Sequence, residues 1–142
     1  MTAGKQTADN SRPAQGLSFT KAIVDDLHAM AAFYQTVFGL KEVMRVQDAI
    51  AGEAIDEIIL SPTGAMMPSS SFVLLKFVDR APAASSDSIL GFITDDLDAL
   101  LQRVTANRGT LAQEARTMAE LGIRVAFAKD PEGRLLELVQ ML

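Results

Sequence analysis

The sequence predicts an α+β fold built from two tandem βαβββ units, and three observations predict it. The chain nearly repeats itself at an offset of 70 residues: Ile23-Val24-Asp25-Asp26-Leu27-His28-Ala29-Met30 returns as Ile93-Thr94-Asp95-Asp96-Leu97-Asp98-Ala99-Leu100. The same offset carries Gly39 onto Gly109, each just past a stretch of apolar residues at helical spacing. At an offset of 69, the turn Ser61-Pro62-Thr63-Gly64 recurs as Asp130-Pro131-Glu132-Gly133. An internal repeat sets the architecture, here two copies of a roughly 60-residue unit.

Each element follows from local chemistry. Leu17 to Val24 is short and rich in apolar, β-branched and aromatic residues, which predicts a strand. Asp25 or Asp26 then stands where a carboxylate accepts the free N–H groups of a helix start. Leu27, Met30, Ala31, Tyr34, Val37 and Phe38 follow at helical spacing, and Gly39 suits the residue after a helix. Leu40 to Gln47 and Ile55 to Leu60 read as strands with a less regular segment between them. Phe72 to Val78 reads as a fourth, reached through the loop Pro62 to Ser71. Asp79 to Ser88 has the composition of a linker. The unit then restarts: a strand at Ile89 to Thr94, a cap at Asp95 or Asp96, and a helix carrying Leu97, Leu100, Leu101 and Val104 that Gly109 closes. Thr110 to Met118 is a strand of weak propensity. Ile123 to Lys129 and Leu135 to Val139 form a hairpin about Asp130-Pro131-Glu132-Gly133, where the proline and glycine suit a type I turn. One helix covers only one face of a four-stranded sheet, so the other face must pair with its counterpart or line a cavity. The units span 17–79 and 88–142, with a linker at 80–87 and a disordered leader at 1–16.

Composition narrows the function. With 142 residues the chain is one domain with room for a core. A net charge of −5 and scattered Lys and Arg argue against nucleic acid as a partner. Cysteine is absent, which excludes a disulfide framework and a thiolate nucleophile and fits a cytoplasmic location. No apolar stretch reaches the roughly 18 residues that span a bilayer, so no membrane partner is expected. Gly-rich phosphate loops, nucleophile elbows and zinc-protease helix motifs are missing as well.

Val24-Asp25-Asp26-Leu27 leading through Phe33-Tyr34 to Phe38-Gly39-Leu40, its counterpart Phe92-Ile93-Thr94-Asp95-Asp96-Leu97-Asp98-Ala99, and the closing run Asp130-Pro131-Glu132-Gly133-Arg134-Leu135-Leu136-Glu137-Leu138 resemble the vicinal oxygen chelate superfamily. That superfamily includes glyoxalase I, extradiol dioxygenases, fosfomycin-resistance enzymes and bleomycin-binding proteins. The resemblance implies that the two units form a cup-shaped mixed sheet with the helices outside. It also implies that metal-dependent members hold one divalent ion by a residue from the first and last strand of each unit. Carried onto this chain, those positions are Phe19, Ile89, Glu137, and Lys76 (or Leu75, with the register slipped by one). Only Glu137 offers a suitable donor. An open catalytic centre normally needs three protein ligands, so the expectation is no metal and no cofactor. A substitute site would have to come from His28, Asp56 or Glu57, and His28 fits an exposed position on the first helix better.

Counting with period two places Leu17, Phe19, Lys21 and Ile23 on the face of the first ligand position. Ile89, Gly91, Ile93, Leu135, Glu137 and Val139 share the corresponding faces, and Phe72, Leu74 and Lys76 join them if the register holds. Phe19, Lys21, Phe72, Leu74, Lys76, Ile89, Gly91, Arg124 and Leu135 are thus the ligand-binding candidates, and Gly91 suggests space. Glu137 is the catalytic candidate. It would serve either as a desolvated general base or as one side of an ion pair with Lys76, Lys21 or Arg124. Met66 and Met67 suit an adaptable lid or a contact with a neighbouring subunit or loop, and Met118 to Leu121 a rim or interface. The expected function is binding of a small apolar or aromatic molecule by a homodimer. The alternative is a lyase, isomerase or dioxygenase-like enzyme using Glu137 as base or as ligand of a relocated metal. A structural dimer without a ligand is the third reading.

Overall fold

A computed structural model describes residues 14–67, 69–82 and 88–142; most of the expected leader, and 83–87 of the expected linker, lie outside the described residues. The elements run β1 (Phe19–Ile23), α1 (Leu27–Phe38), β2 (Lys41–Ile50), β3 (Glu53–Ser61), β4 (Ser71–Phe77), β5 (Leu90–Ile93), α2 (Leu97–Ala106), β6 (Thr110–Met118), a short 3-10 turn (Ala119–Leu121), β7 (Ile123–Lys129) and β8 (Leu135–Met141). They form two four-stranded sheets ordered β1-β4-β3-β2 and β5-β8-β7-β6. In each, the first strand runs parallel to the last, and the remaining pairs are antiparallel.

The duplicated aspartates do the same work twice. Asp26 and Asp96 each accept a hydrogen bond from a helix N–H, at Ala29 and Ala99, both at 3.0 Å. The paired glycines do not. Gly39 ends α1 in the left-handed conformation, φ 70°, with its N–H donating to Gln35. α2 instead stops at Ala106, and Gly109 is needed for close approach: a Cβ there would sit 2.6 Å from Val104 Cγ1 and 2.9 Å from the Lys129 carbonyl. The irregular segment between the second and third strands is a tight hairpin turn, Ala51-Gly52, with both residues at positive φ. The weak strand at Thr110–Met118 exists as an edge strand with two register irregularities.

Both helices lie on the same side of their sheets, and the two cores merge. From the first sheet Ala22, Val24, Ile58, Leu60, Phe72 and Leu74 are buried beneath α1; from the second, Ala126, Ala128, Leu136 and Leu138 join the same cluster. The ring of Phe38, at the end of α1, stacks on Phe92 of β5 at 3.9 Å between centroids.

Polar contacts fix how the units meet. The β7–β8 turn inserts Asp130 against α1, where its carboxylate accepts hydrogen bonds from Tyr34 Oη (2.7 Å) and Arg134 Nη1 (2.8 Å). Its other oxygen accepts from the N–H groups of Glu132 and Arg134. Arg134 Nη2 donates to the carbonyl of Ile23 at 2.7 Å. The Glu132 carboxylate accepts from the N–H groups of Asp25 (2.9 Å) and Asp26 (2.7 Å), capping the approach to α1 with a charge of the sign its dipole prefers. Arg103 of α2 donates to the carbonyl of Val37, 3.1 Å away.

Tyr34 is the chain's single tyrosine. Burial first, then the charge of Asp130 and the hydrogen bond to it, push its phenol well above the ordinary range. The unfolded phenol ionises near pH 10, whereas the folded one keeps its proton there. Stability from this site is therefore complete below about pH 10 and declines above it. Spectrophotometric titration should show no phenolate before unfolding; a phenolate near pH 10 in the folded protein would contradict the burial. Tyr34→Phe should flatten the alkaline decline and cost about 1–2 kcal/mol at neutral pH by leaving Asp130 short of a donor, read by denaturant unfolding.

Candidate functional site

Strand pairing decides which side chains meet away from the helices. Residues paired across neighbouring strands share a face, and Ala22, Leu74 and Ile58 are both mutually paired and packed under α1. The opposite, cup face of the first unit therefore carries Phe19, Lys21 and Ile23 of β1, Val73 and Leu75 of β4, and Ile55, Glu57 and Ile59 of β3. In the second unit it carries Gly91 and Ile93 of β5, Leu135, Glu137 and Val139 of β8, and Val125 and Phe127 of β7, with Ile89 continuing the alternation just before β5. Phe19 and Ile89 are 55% and 53% exposed, so both apolar side chains are open on this face. A Cβ on Gly91 would meet no atom within 4 Å.

Four of the candidate residues fall elsewhere. Phe72 and Leu74 are core residues beneath α1. Lys76 shares their face and donates to the carbonyl of Asp25 at 2.7 Å. Arg124 pairs across β7 and β8 with Gln140, whose side chain accepts from the N–H of Leu97 in α2, and it binds Asp98 of the same helix at 3.2 Å. The register assigned to β4 is thus off. Glu137 pairs with Gly91 and Val73 pairs with Lys21, which makes Val73, rather than Lys76 or Leu75, the counterpart of Glu137. The loop between Ser61 and Ser71 is longer than the turn between Lys129 and Leu135, so the constant offset fails there.

Glu137 is half-buried, and among the described residues it has no hydrogen-bond partner. The three cations proposed to pair with it are engaged elsewhere: Lys76 and Arg124 as above, and Lys21 with Glu57. Glu57 lies on the cup face and is only 7% exposed. The alternation Ile55-Asp56-Glu57-Ile58-Ile59 held the signal for it, since its acid shares a face with two isoleucines. The Lys21 ammonium also lies 5.9 Å from the centroid of the Phe19 ring.

Lys21 also borders a cavity of about 790 Å³ at the seam between the units. Consecutive residues Thr20 to Ile23 line it along the outer edge of β1, with Phe77 at the end of β4, Arg80 just beyond it, and Leu90 and Glu132 to Leu135 from the second unit. Arg80 stacks on Phe77, 3.7 Å from the ring centroid, and its hydrogen bond to Glu53 at 2.6 Å holds that carboxyl below its usual range. His28 is exposed on α1, as expected, and Met66 is exposed in the loop before β4. No helix among the described residues is long and apolar enough to cross a membrane.

The glyoxalase/bleomycin resistance protein/dioxygenase superfamily matches residues 16–138. The chain belongs to that superfamily. Lactoylglutathione lyase GLX1 of Arabidopsis thaliana is 30% identical over 122 residues, which cover 82% of this chain and 41% of that protein. A glyoxalase family protein from Bacillus cereus superposes with a TM-score of 0.78 at 16% identity, over 92% of this chain and 97% of the other. The fosfomycin resistance protein FosX of Listeria monocytogenes superposes at 0.64 and 18% identity, over 91% and 95%. A glyoxalase I from Zea mays superposes at 0.71 and 16% identity, over 87% of this chain but 46% of the other. The chain thus spans less than half of the two plant glyoxalases.

Within this superfamily the donor set is the point of departure. Of the four positions the resemblance assigns to metal ligands, with Val73 replacing Lys76 or Leu75 in the observed register, Phe19, Val73 and Ile89 have no side-chain lone pair to donate, and Glu137 stands alone. Among the described residues no three His, Asp or Glu side chains cluster closely enough to hold an ion. These residues do not fit the superfamily's usual divalent metal. Beside Glu137, the cup face carries the ion pair of Lys21 and Glu57. Lys21→Met alone should cost about 2 kcal/mol by stranding a buried carboxylate, and Lys21→Met with Glu57→Gln should recover most of it. Equal losses in the single and double variants, measured by chemical denaturation, would show that the pair is not coupled.

Proposed function

We propose that this member of the superfamily binds a small apolar or aromatic molecule in its cup and at its seam without the superfamily's usual metal. The observation that carries the reading is the replacement of three ligand positions by Phe19, Val73 and Ile89 within an otherwise intact fold. Val73 is buried, but Phe19 and Ile89 are about half exposed and give apolar surface where the resemblance places ligands, and exposed apolar surface beside a few polar groups is the usual make-up of a small-molecule site. Homodimerisation belongs to the same proposal. Two copies approximate the length of the plant relatives, and Ile93, 74% exposed on the cup face, gains from cover. Enzymatic use of Glu137 is the second reading, favoured by one observation: a half-buried carboxylate with no partner among the described residues, facing the space above Gly91.

Metal analysis, thermal unfolding with and without chelator, and titration with the neutral fluorophore 1-N-phenylnaphthylamine test the proposal together. The expected result is no stoichiometric metal, a chelator shift within about 1 °C (under 0.5 kcal/mol), and saturable dye binding. Phe19→Glu or Ile89→Glu should weaken that binding about tenfold or more, because each buries a charge against the ligand. Bound metal whose removal destabilises the protein would overturn the metal-free reading. Glu137→Gln separates the two functions: a binder changes affinity only modestly, whereas an enzyme using this carboxylate as base loses on the order of 10²–10⁴-fold in turnover.

A further inference from the structure

The seam cavity carries one more cation than carboxylate among the described residues that line it. Among the described residues, three cations line it, Lys21, Arg80 and Arg134, against two carboxylates, Asp25 and Glu132. Glu132 accepts from two backbone N–H groups, and Asp25, whose side chain is largely exposed, lies beside Lys76 at 3.5 Å. The acids that hold the three cations, Glu57, Glu53 and Asp130, do not line the cavity. Lys21 is the cation best placed to meet a ligand. It is held on the same face by buried Glu57 of β3, so its position is set before anything binds. An ammonium has three donors, and Glu57 is its single hydrogen-bond partner among the described residues. Beside it the wall is apolar, formed by Ala22, Ile23, Phe77, Leu90 and Leu135.

We infer that the preferred ligand is an organic anion, an apolar or aromatic body carrying one carboxylate or similar group, with its charge on Lys21 and its body along the seam. The inference rests on the binding function proposed above and narrows it to a ligand class. A fixed ammonium at the edge of a low-dielectric wall distinguishes charged from neutral molecules of the same shape more strongly than a mobile surface lysine does. The counterpart of Lys21 in the second unit is Gly91, so the duplicated scaffold offers this charge on one side only.

A matched pair of dyes tests this with the full-length protein. 1-Anilinonaphthalene-8-sulfonate and 1-N-phenylnaphthylamine share one aromatic skeleton and differ by the sulfonate. The anionic dye should bind about tenfold tighter, as one charge-assisted hydrogen bond warrants. That difference should fall to within about twofold in the paired variant Lys21→Met, Glu57→Gln, and persist in Lys21→Arg. Equal affinities in the natural protein, or a difference that survives loss of Lys21, would overturn the inference while leaving apolar binding standing. Failure of both dyes to bind saturably would instead overturn the binding function itself. Should the paired variant fail to fold, displacement of the neutral dye from the natural protein decides: octanoate should compete at lower concentration than octanol, and the reverse order refutes the charge preference.

Discussion

Everything in this molecule that concerns a ligand depends on where the second unit is held against the first, and one buried carboxylate holds it. Asp130 is 2% exposed, too deep for a charge to survive without partners. It collects them from both units at once: the phenol of Tyr34, the guanidinium of Arg134, and two N–H groups of its own turn. Withdrawing the turn would take Asp130 from the phenol of Tyr34 and Arg134 from the carbonyl of Ile23, so two buried or half-buried hydrogen bonds are lost together. The seam is therefore defined by directed polar contacts rather than by apolar packing alone, and packing alone tolerates sliding. Because Arg134 also binds the carbonyl of Ile23, the same device fixes the end of β1 that borders the cavity.

Duplication makes the specialised positions easy to see. The caps Asp26 and Asp96 match in role and in geometry, as expected where a helix must begin at a given place. Equivalent cup positions diverge: Lys21 against Gly91, and Val73 against Glu137. A side chain whose job is packing the common core is constrained equally in both halves. One that faces the cup is constrained by what enters, and a ligand without two-fold symmetry imposes different demands on the two sides. The pairing of a lysine with valine in one unit and of glycine with glutamate in the other fits such an asymmetric occupant.

The fold was legible because its signals are local. A carboxylate before a run of apolar residues at helical spacing caps a helix wherever it occurs, and the order of strands and turns followed. The cup-face identity of Phe19, Lys21, Ile89, Gly91, Leu135 and Glu137 was legible for the same reason, since alternation within one strand needs no knowledge of its neighbours. The β4 residues were not. A strand's face depends on how many residues precede it in the loop, and the loop from Ser61 to Ser71 breaks the repeat that had served as a ruler. Ion pairs were less legible still. Glu57 and Lys21 lie 36 positions apart, and nothing local distinguishes that lysine's choice of Glu57 from Glu137. Arg124, read as a candidate for the cup, points to α2 because its alternation places it with Gln140.

A metal in a cup of this kind does two separable things: it supplies positive charge at a fixed point, and it acts as a Lewis acid on what it binds. Phe19, Val73 and Ile89 remove the means of holding one, but the need for a fixed positive point can be met without coordination. Lys21 meets it. Buried Glu57 orients the ammonium and offsets its desolvation, leaving donors over for a ligand. The substitution is only partial, because an ammonium can orient and stabilise an anion but has no vacant orbital through which to polarise a chelated oxygen pair. A scaffold that keeps the positive point and gives up the ligand set is suited first to recognition. Any proton chemistry it retains would fall to Glu137, on the other unit, facing the room that Gly91 leaves open.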